Sequence, residues 1–173
     1  YSLSPAEVEQ VLAQPDVSTL DGLRDRAVLE VLWATGLRRS EVVRLGLFDI
    51  NPSAGTVFVN QGKGKKDRVV PIGTRALGWV QRYLDEVRPR LVGAPDDGVL
   101  FLSSTGAAVS PDILTHLVRS YIEAAGVNAL GSCHLFRHAC ATQMLEAGAD
   151  IRFVQELLGH SKLDTTVIYT RVA

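Results

Sequence analysis

Cysteine, methionine and aromatic residues are all scarce in this chain of 173 residues: two cysteines, one methionine and 6% aromatics. Two cysteines cannot make a disulfide framework, so stability must come from an apolar core, and a reducing cytoplasm is the expected setting. Long apolar runs are missing too. The strongest, around Ala27 to Ala34, is interrupted by Glu30 and falls far short of the ~20 residues of a membrane span. The first twelve residues carry two glutamates and no cationic region, so no signal peptide is expected. There is no basic surplus: 18 basic residues face 19 acidic ones, a formal net of −1. Taken alone, that argues mildly against a nucleic-acid partner. What is plentiful is apolar side chain. At 46% hydrophobic and 21% charged, the chain can bury a real core, which excludes global disorder. The length suits one ordinary domain. Tyr1 stands where an initiator Met is usual, so a fragment or processed product is expected.

Charge placement says more than the sum. Residues 1–23 hold Glu7, Glu9, Asp16 and Asp21 without a Lys or Arg, a local net of −4. Residues 60–75 hold Lys63, Lys65, Lys66, Arg68 and Arg75 against Asp67, a local net of +4. Such segregation can leave one basic face on a neutral protein. A solvated hairpin tip is the plainer reading of the same residues.

Local patterns predict a mainly α fold with a small antiparallel β-sheet, an α+β domain. Ser4-Pro5-Ala6-Glu7 is a capping box with proline at the first helical position, starting a helix that runs to about Ala13. Leu20 to Thr35 has helical apolar spacing and stops at Gly36, and a short helix follows from about Ser40 to Leu45. The period then changes. Thr56 to Asn60 reads as a strand, Gly62 to Lys66 as a turn, and Arg68 to Ile72 as the return strand, with Pro71 at its end or on an edge. Thr74 to Val87 is an amphipathic helix ending before Pro89, and Val99 to Leu102 a brief strand. Helices are then predicted from Ser110 to about Ala125, from about His134 to Ala147, from Asp150 to Leu158 and from Asp164 to about Arg171. Loops are short and no repeat interrupts the core pattern, so residues 1–173 are expected to form a single domain.

Several polar residues sit where a fold alone does not demand them. Arg38 lies just past a helix end, where an arginine can simply satisfy carbonyls. His134 and Arg137 are three apart on one predicted helical face, with His138 one residue further round. His160 follows a helix-ending glycine, and Tyr169 lies nine residues beyond it. Each alone is more readily structural than catalytic; together they form a set.

Metal binding is the first reading to weigh, because Cys133, His134, His138 and Cys140 cluster. All four lie on or beside one predicted helix, with the cysteines roughly 10 Å apart along it. A straight helix cannot wrap four ligands around one ion, and Leu135-Phe136 replaces the glutamate that zincin sites use as base. No metal site is expected. Neither a G-x-S-x-G elbow nor a phosphate-binding glycine loop appears, so a serine hydrolase and a nucleotide cofactor both lack a seat. Two arginines, two imidazoles and a lysine are instead donors suited to a dispersed anion such as phosphate. Phosphoryl transfer builds charge on non-bridging oxygens, which fixed cations can stabilise. A tyrosine hydroxyl beside them can attack phosphorus covalently, although its free pKa of ~10 requires cationic surroundings. The residue types point to metal-free phosphodiester transfer.

The motifs resemble those of the tyrosine recombinases, the phage-integrase family. Ala34-Thr35-Gly36-Leu37-Arg38-Arg39-Ser40-Glu41-Val42 resembles the first arginine motif. Gly62-Lys63-Gly64-Lys65-Lys66-Asp67-Arg68, followed by Val70-Pro71, resembles the β-hairpin lysine motif. His134-Leu135-Phe136-Arg137-His138, then Ala141-Thr142, resembles the H-x-x-R-H box. Leu157-Leu158-Gly159-His160-Ser161 and Thr165-Thr166-Val167-Ile168-Tyr169 resemble the last two motifs. Order and spacing agree from about Arg24 to Arg171. Phe136 stands where the family more often has Leu, and Arg39 where it has a small apolar residue.

The resemblance implies that Arg38, His134, Arg137 and His160 bind and activate the scissile phosphate. It makes Lys63 the general acid for the 5′-oxygen and Tyr169 the nucleophile of a 3′-phosphotyrosine link. Glu41 would orient an arginine, and His138 would pack the helix or support the site from behind. Arg39, Lys65, Lys66, Arg68 and Lys162 are expected along a basic face for DNA. No metal or cofactor is implied. The implied partners are double-stranded DNA and recombinase subunits, in a tetrameric synapse for the full-length protein. The family's DNA-clamping N-terminal domain and its C-terminal tail helix have no counterpart here, so an isolated catalytic domain is expected. The region from Cys133 to Gln143 looks like that of a mobile-element integrase. Two alternatives stay open: a type IB topoisomerase-like enzyme that reseals to the same partner, and a DNA-binding regulator that keeps the fold without the chemistry.

Overall fold

The structure, a computed structural model, describes residues 2–60 and 66–159. Among these, helices α1 (Pro5–Leu12), α2 (Leu20–Thr35) and α3 (Arg39–Val43) precede strands β1 (Ile50–Asn51), β2 (Thr56–Val59) and β3 (Arg68–Pro71). Then come α4 (Thr74–Glu86), α5 (Arg88–Leu91), α6 (Pro111–Ala124), α7 (Cys133–Glu146) and α8 (Ile151–Leu158). The fold is mainly helical with one three-stranded antiparallel sheet in the order β1-β2-β3. Among the described residues, no helix is long and apolar enough to cross a membrane.

Helix starts follow the local chemistry. Ser4 Oγ accepts the Glu7 backbone N–H at 3.1 Å, and the Glu7 carboxylate accepts the Ser4 N–H at 3.0 Å, the reciprocal bonds of a capping box. The sheet alternates as a half-buried sheet must. Ile50, Val57, Val59 and Val70 point into the core, while the cross-strand partners Phe58 and Val69 face outward. Pro71 ends β3 on the sheet edge, where its missing N–H breaks no ladder.

Helix α2 is the centre of the fold. It packs against α4 and α7 and is buried on nearly every side, charged residues included. Glu30, with a side chain only 2% exposed, receives Arg26 from its own helix and Arg75 from α4, each at 3.0 Å. Arg75 also bonds Glu9 of α1, and its guanidinium lies 5.3 Å from the Trp33 ring centroid. One arginine thus stitches α1, α2 and α4. Its charge is paired with Glu9 and Glu30 rather than left open on the basic face that its place in residues 60–75 suggested.

One local expectation is corrected. Val99 to Leu102 forms no strand; Val99 and Leu102 make only isolated bridges, to Gly46 and Ala108. Their neighbours' backbone groups are met elsewhere: Leu100 N–H donates to Leu45 O at 2.9 Å, and the Tyr83 hydroxyl donates to Leu100 O at 2.7 Å and accepts from Leu102 N–H at 2.9 Å. Helix α4 ends before Pro89, as expected, but Pro89 then belongs to a further short helix that the sequence reading missed. It sits in the first turn of α5, where no intrahelical N–H is needed. The buried Arg88 beside it holds Asp96 through both nitrogens of its fork, at 2.9 and 2.8 Å.

The buried Tyr83 hydroxyl generates a prediction. Tyr83→Phe strands a carbonyl and an N–H inside the core, so denaturant unfolding should show a loss of about 1–3 kcal/mol. An unchanged midpoint would mean that those two groups find other partners.

Candidate active site

Carbonyls at the end of a helix lack partners within it and carry the negative end of its dipole. At the end of α8, three consecutive carbonyls are each taken by a different arginine. Leu157 O accepts from Arg68 Nε, Leu158 O from Arg137 Nη2 at 2.6 Å, and Gly159 O from Arg38 Nη2 at 3.1 Å. The three arginines come from β3, α7 and the entry to α3, so the α8 terminus is where distant parts of the chain meet.

Glycines permit this approach. Gly36 closes α2 at φ +66°, and a Cβ there would lie 2.4 Å from Leu158 Cδ2. The ends of α2 and α8 can therefore touch, and Arg137 spans them by also donating to Gly36 O at 2.7 Å. Gly159 closes α8 in the same left-handed conformation, at φ +67°. Below this point Leu158 and Val154 pack on Ala141 of α7, with Met144 and Leu145 alongside.

Glu41 is the carboxylate of the cluster. It is buried, and it accepts both nitrogens of the Arg68 fork, at 2.6 and 3.0 Å. It also accepts the Arg38 backbone N–H at 2.9 Å, and its Oε2 lies 3.9 Å from Arg38 Nη1. Burial pushes its carboxyl pKa up, but the Arg68 fork and the Arg38 contacts outweigh that and hold it below the ordinary glutamate value. Three guanidiniums against one carboxylate leave the cluster cationic. Arg38 keeps the most open head, with its side chain 32% exposed, whereas Arg137 is buried.

His134 stands in the first turn of α7 and is exposed, its imidazole against Gly131: a Cβ on that glycine would come within 2.6 Å of Nε2. Partial burial lowers its pKa below the usual 6.5, which favours the neutral ring at pH 7. His138 meets His134 edge-on, with centroids 6.2 Å apart, and lines a cavity of about 390 Å³ with Ser4, Val8 and Trp33. It therefore looks toward α1. Arg39 turns to α6, donating to Thr115 Oγ1 at 2.7 Å, and Lys66 is exposed. Lys63, Lys65, His160, Lys162 and Tyr169, like the helix expected from Asp164, lie outside the described residues.

One expected site residue is turned inward. Arg68 does not project from a basic face: its side chain is 9% exposed and its donors are directed at Glu41 and α8. Its position in a lysine-rich motif concealed this. Arg44, which sequence reasoning missed, braces the same hairpin by donating to Asn60 O at 3.1 Å. Cys133 and Cys140 are free, buried thiols, and burial pushes Cys140 up to about 12. Among the described residues no three His, Cys, Asp or Glu side chains are grouped to hold a metal ion.

The phage integrase family profile matches residues 2–173. The chain belongs to that family. It is 53% identical over 171 residues to tyrosine recombinase XerC 2 of Ralstonia nicotianae, covering 99% of this chain and 49% of the relative. It is 48% identical to tyrosine recombinase XerD of Pseudomonas aeruginosa, covering 99% of this chain and 57% of the relative. Among solved structures, XerA recombinase superposes with a TM-score of 0.83 at 30% identity, covering 98% of this chain and 58% of that one. XerH recombinase in a post-cleavage complex with its palindromic difH substrate gives 0.82 at 29% identity, covering 98% and 49%. This member of the phage integrase family thus spans about half the length of the relatives it matches.

The Glu41 pair predicts a pH signature. Its folded-state pKa is depressed, so its contribution to stability is fully present above about pH 4.5 and is lost as pH falls through the depressed value. Glu41→Gln leaves two arginines facing a neutral amide and should cost about 3 kcal/mol at pH 7. Unfolding measured across pH 7 to 3 should show the gap between wild type and variant closing in acid. A gap that stays constant would remove the carboxylate as its cause.

Proposed function

We propose that this chain is the catalytic domain of a site-specific DNA recombinase that cuts and rejoins strands through a 3′-phosphotyrosine intermediate. The observation that carries the reading is the arginine cluster at the α8 terminus, a preorganised cationic seat with one carboxylate inside it. Arg38 and Arg137 have the planar forks suited to the two non-bridging oxygens of a phosphodiester. Charge grows on those oxygens in the transition state, so donors already fixed in place stabilise it without reorganisation.

In this scheme His134 and His160 complete the set of phosphate donors. Tyr169 loses its phenolic proton to solvent, favoured by the cationic surroundings, and its oxygen bonds to phosphorus as the bond to the 5′-oxygen breaks; Lys63 gives that leaving oxygen a proton. Attack by the 5′-hydroxyl of a partner duplex reverses the sequence and frees Tyr169. Guanidiniums supply the charge that Mg²⁺ supplies elsewhere, so neither metal nor cofactor takes part. The substrate is double-stranded DNA in the cytoplasm, at the nucleoid. Lys65, Lys66 and Lys162 add phosphate contacts beside the site, with Arg39 at its α6 edge. The synapse is a tetramer of this or related subunits. Relatives named as recombinases, and a neighbour solved on its recombination substrate, support strand exchange over simple relaxation.

Tyr169→Phe should abolish the covalent adduct on a nicked suicide duplex while leaving DNA affinity nearly unchanged. An adduct that persists would remove Tyr169 as nucleophile. Arg38→Ala should slow cleavage by the equivalent of about 2–4 kcal/mol, far more than it weakens binding. Equal losses in both would make Arg38 an ordinary phosphate anchor. EDTA should leave adduct formation intact, and strong inhibition by chelator would contradict the metal-free scheme.

A further inference from the structure

We propose that Arg68 is a positioning residue that sets the spacing of the phosphate-binding arginines and makes no contact with DNA; the proposal rests on the recombinase reading above. Three of its N–H donors are committed to two partners that sequence does not bring together. Nη1 and Nη2 grip Glu41 of α3, 27 residues away, and Nε holds Leu157 O of α8, 89 residues away. Arg68 itself opens β3, so one side chain ties the sheet, α3 and α8 at one point.

Both partners lead directly to the phosphate donors. Glu41 fixes the Arg38 backbone and lies close to its guanidinium, and Leu157 O is next in line to the carbonyls held by Arg137 and Arg38. If the Arg68 fork loosens, α3 and the α8 terminus lose a shared anchor, and the two phosphate donors lose a fixed separation. Transition-state stabilisation is sensitive to such errors: a misplacement of about 1 Å can cost ~10²-fold in rate. The Arg68 charge is already opposed by Glu41 at 2.6 Å, and both side chains are buried, so it is a poor counter-ion for an incoming phosphate. Lysine cannot substitute, because a point charge cannot make the parallel pair to the carboxylate and also reach the carbonyl.

The test uses the full chain and a suicide duplex, with three readouts: single-turnover adduct formation, DNA affinity across salt concentrations, and thermal melting. Adducts are measured well below each variant's melting transition. Arg68→Lys and Arg68→Gln should each slow adduct formation by about 10–100-fold. Affinity should stay within about two-fold and the log-log salt slope should not change. Glu41→Gln should cause a similar loss, and the Arg68→Gln/Glu41→Gln double variant should lose no more than either single one, as residues acting as a unit do. A salt slope lower by about 0.9 with uniformly weakened binding would make Arg68 a phosphate contact. Wild-type adduct rates in folded Arg68→Lys, or losses that multiply in the double variant, would also overturn the proposal. An adduct persisting in Tyr169→Phe would instead sink the nucleophile assignment and leave the Arg68 comparison readable.

Discussion

Unpaired carbonyls at a helix end must be met by water, by a cap or by side chains. At the end of α8 the chain meets them with three arginines, and much else in the fold is arranged around that choice. Charge-assisted bonds of this kind are roughly twice as strong as neutral ones, and the helix dipole adds to them. The arrangement also gathers positive charge that would otherwise repel itself. Glu41 offsets part of it, and the carbonyls offset more. What remains is a net cationic cluster where α3, α7 and β3 meet the ends of α2 and α8.

The packing beneath explains how so small a domain keeps that cluster in place. Gly36 lets the ends of α2 and α8 come within van der Waals contact, and Arg137 bonds across the gap. Helix α2 is in turn fixed by buried ion pairs, Arg24 with Asp25 and Arg26 with Glu30, by Arg75 from α4 reaching Glu30, and by the Tyr121 hydroxyl on Asp25 at 2.6 Å. Buried pairs of this kind are weak sources of net stability but costly to break singly. They fix orientation, and a side-chain cluster built from several elements needs orientation more than it needs stability.

Helix boundaries were legible wherever a local rule set them. Ser4 and Glu7 mark the start of α1, Gly36 and Gly159 mark the ends of α2 and α8, and alternation marks β2 and β3. Illegible features depended on distant partners. The two residues of β1 are too few to set a period in sequence, and they are recognised as a strand by their pairing with Thr56 and Val57. Helix α4 stops before Pro89 as the sequence suggests, but the short α5 that follows, with Arg88 held by Asp96, was not legible. In the site, Arg38, Glu41 and Arg137 stand out by residue type and spacing. The inward turn of Arg68 does not, because nothing within its own motif reveals that Glu41 and Leu157 fold back onto it. The local charge sum misled for the same reason: Arg68 and Arg75 count as basic among residues 60–75, yet each is already paired with carboxylates of the fold.

The central claim is that the arginine cluster at the α8 terminus seats the scissile phosphate. A crystal structure of the chain bound to a duplex carrying that phosphate tests it most directly. The account predicts that the Arg38 and Arg137 guanidiniums each donate to a non-bridging oxygen while Arg68 remains on Glu41 and Leu157 O. A phosphate beyond hydrogen-bond reach of both Arg38 and Arg137, or an Arg68 that has left Glu41 to hold DNA, would contradict it.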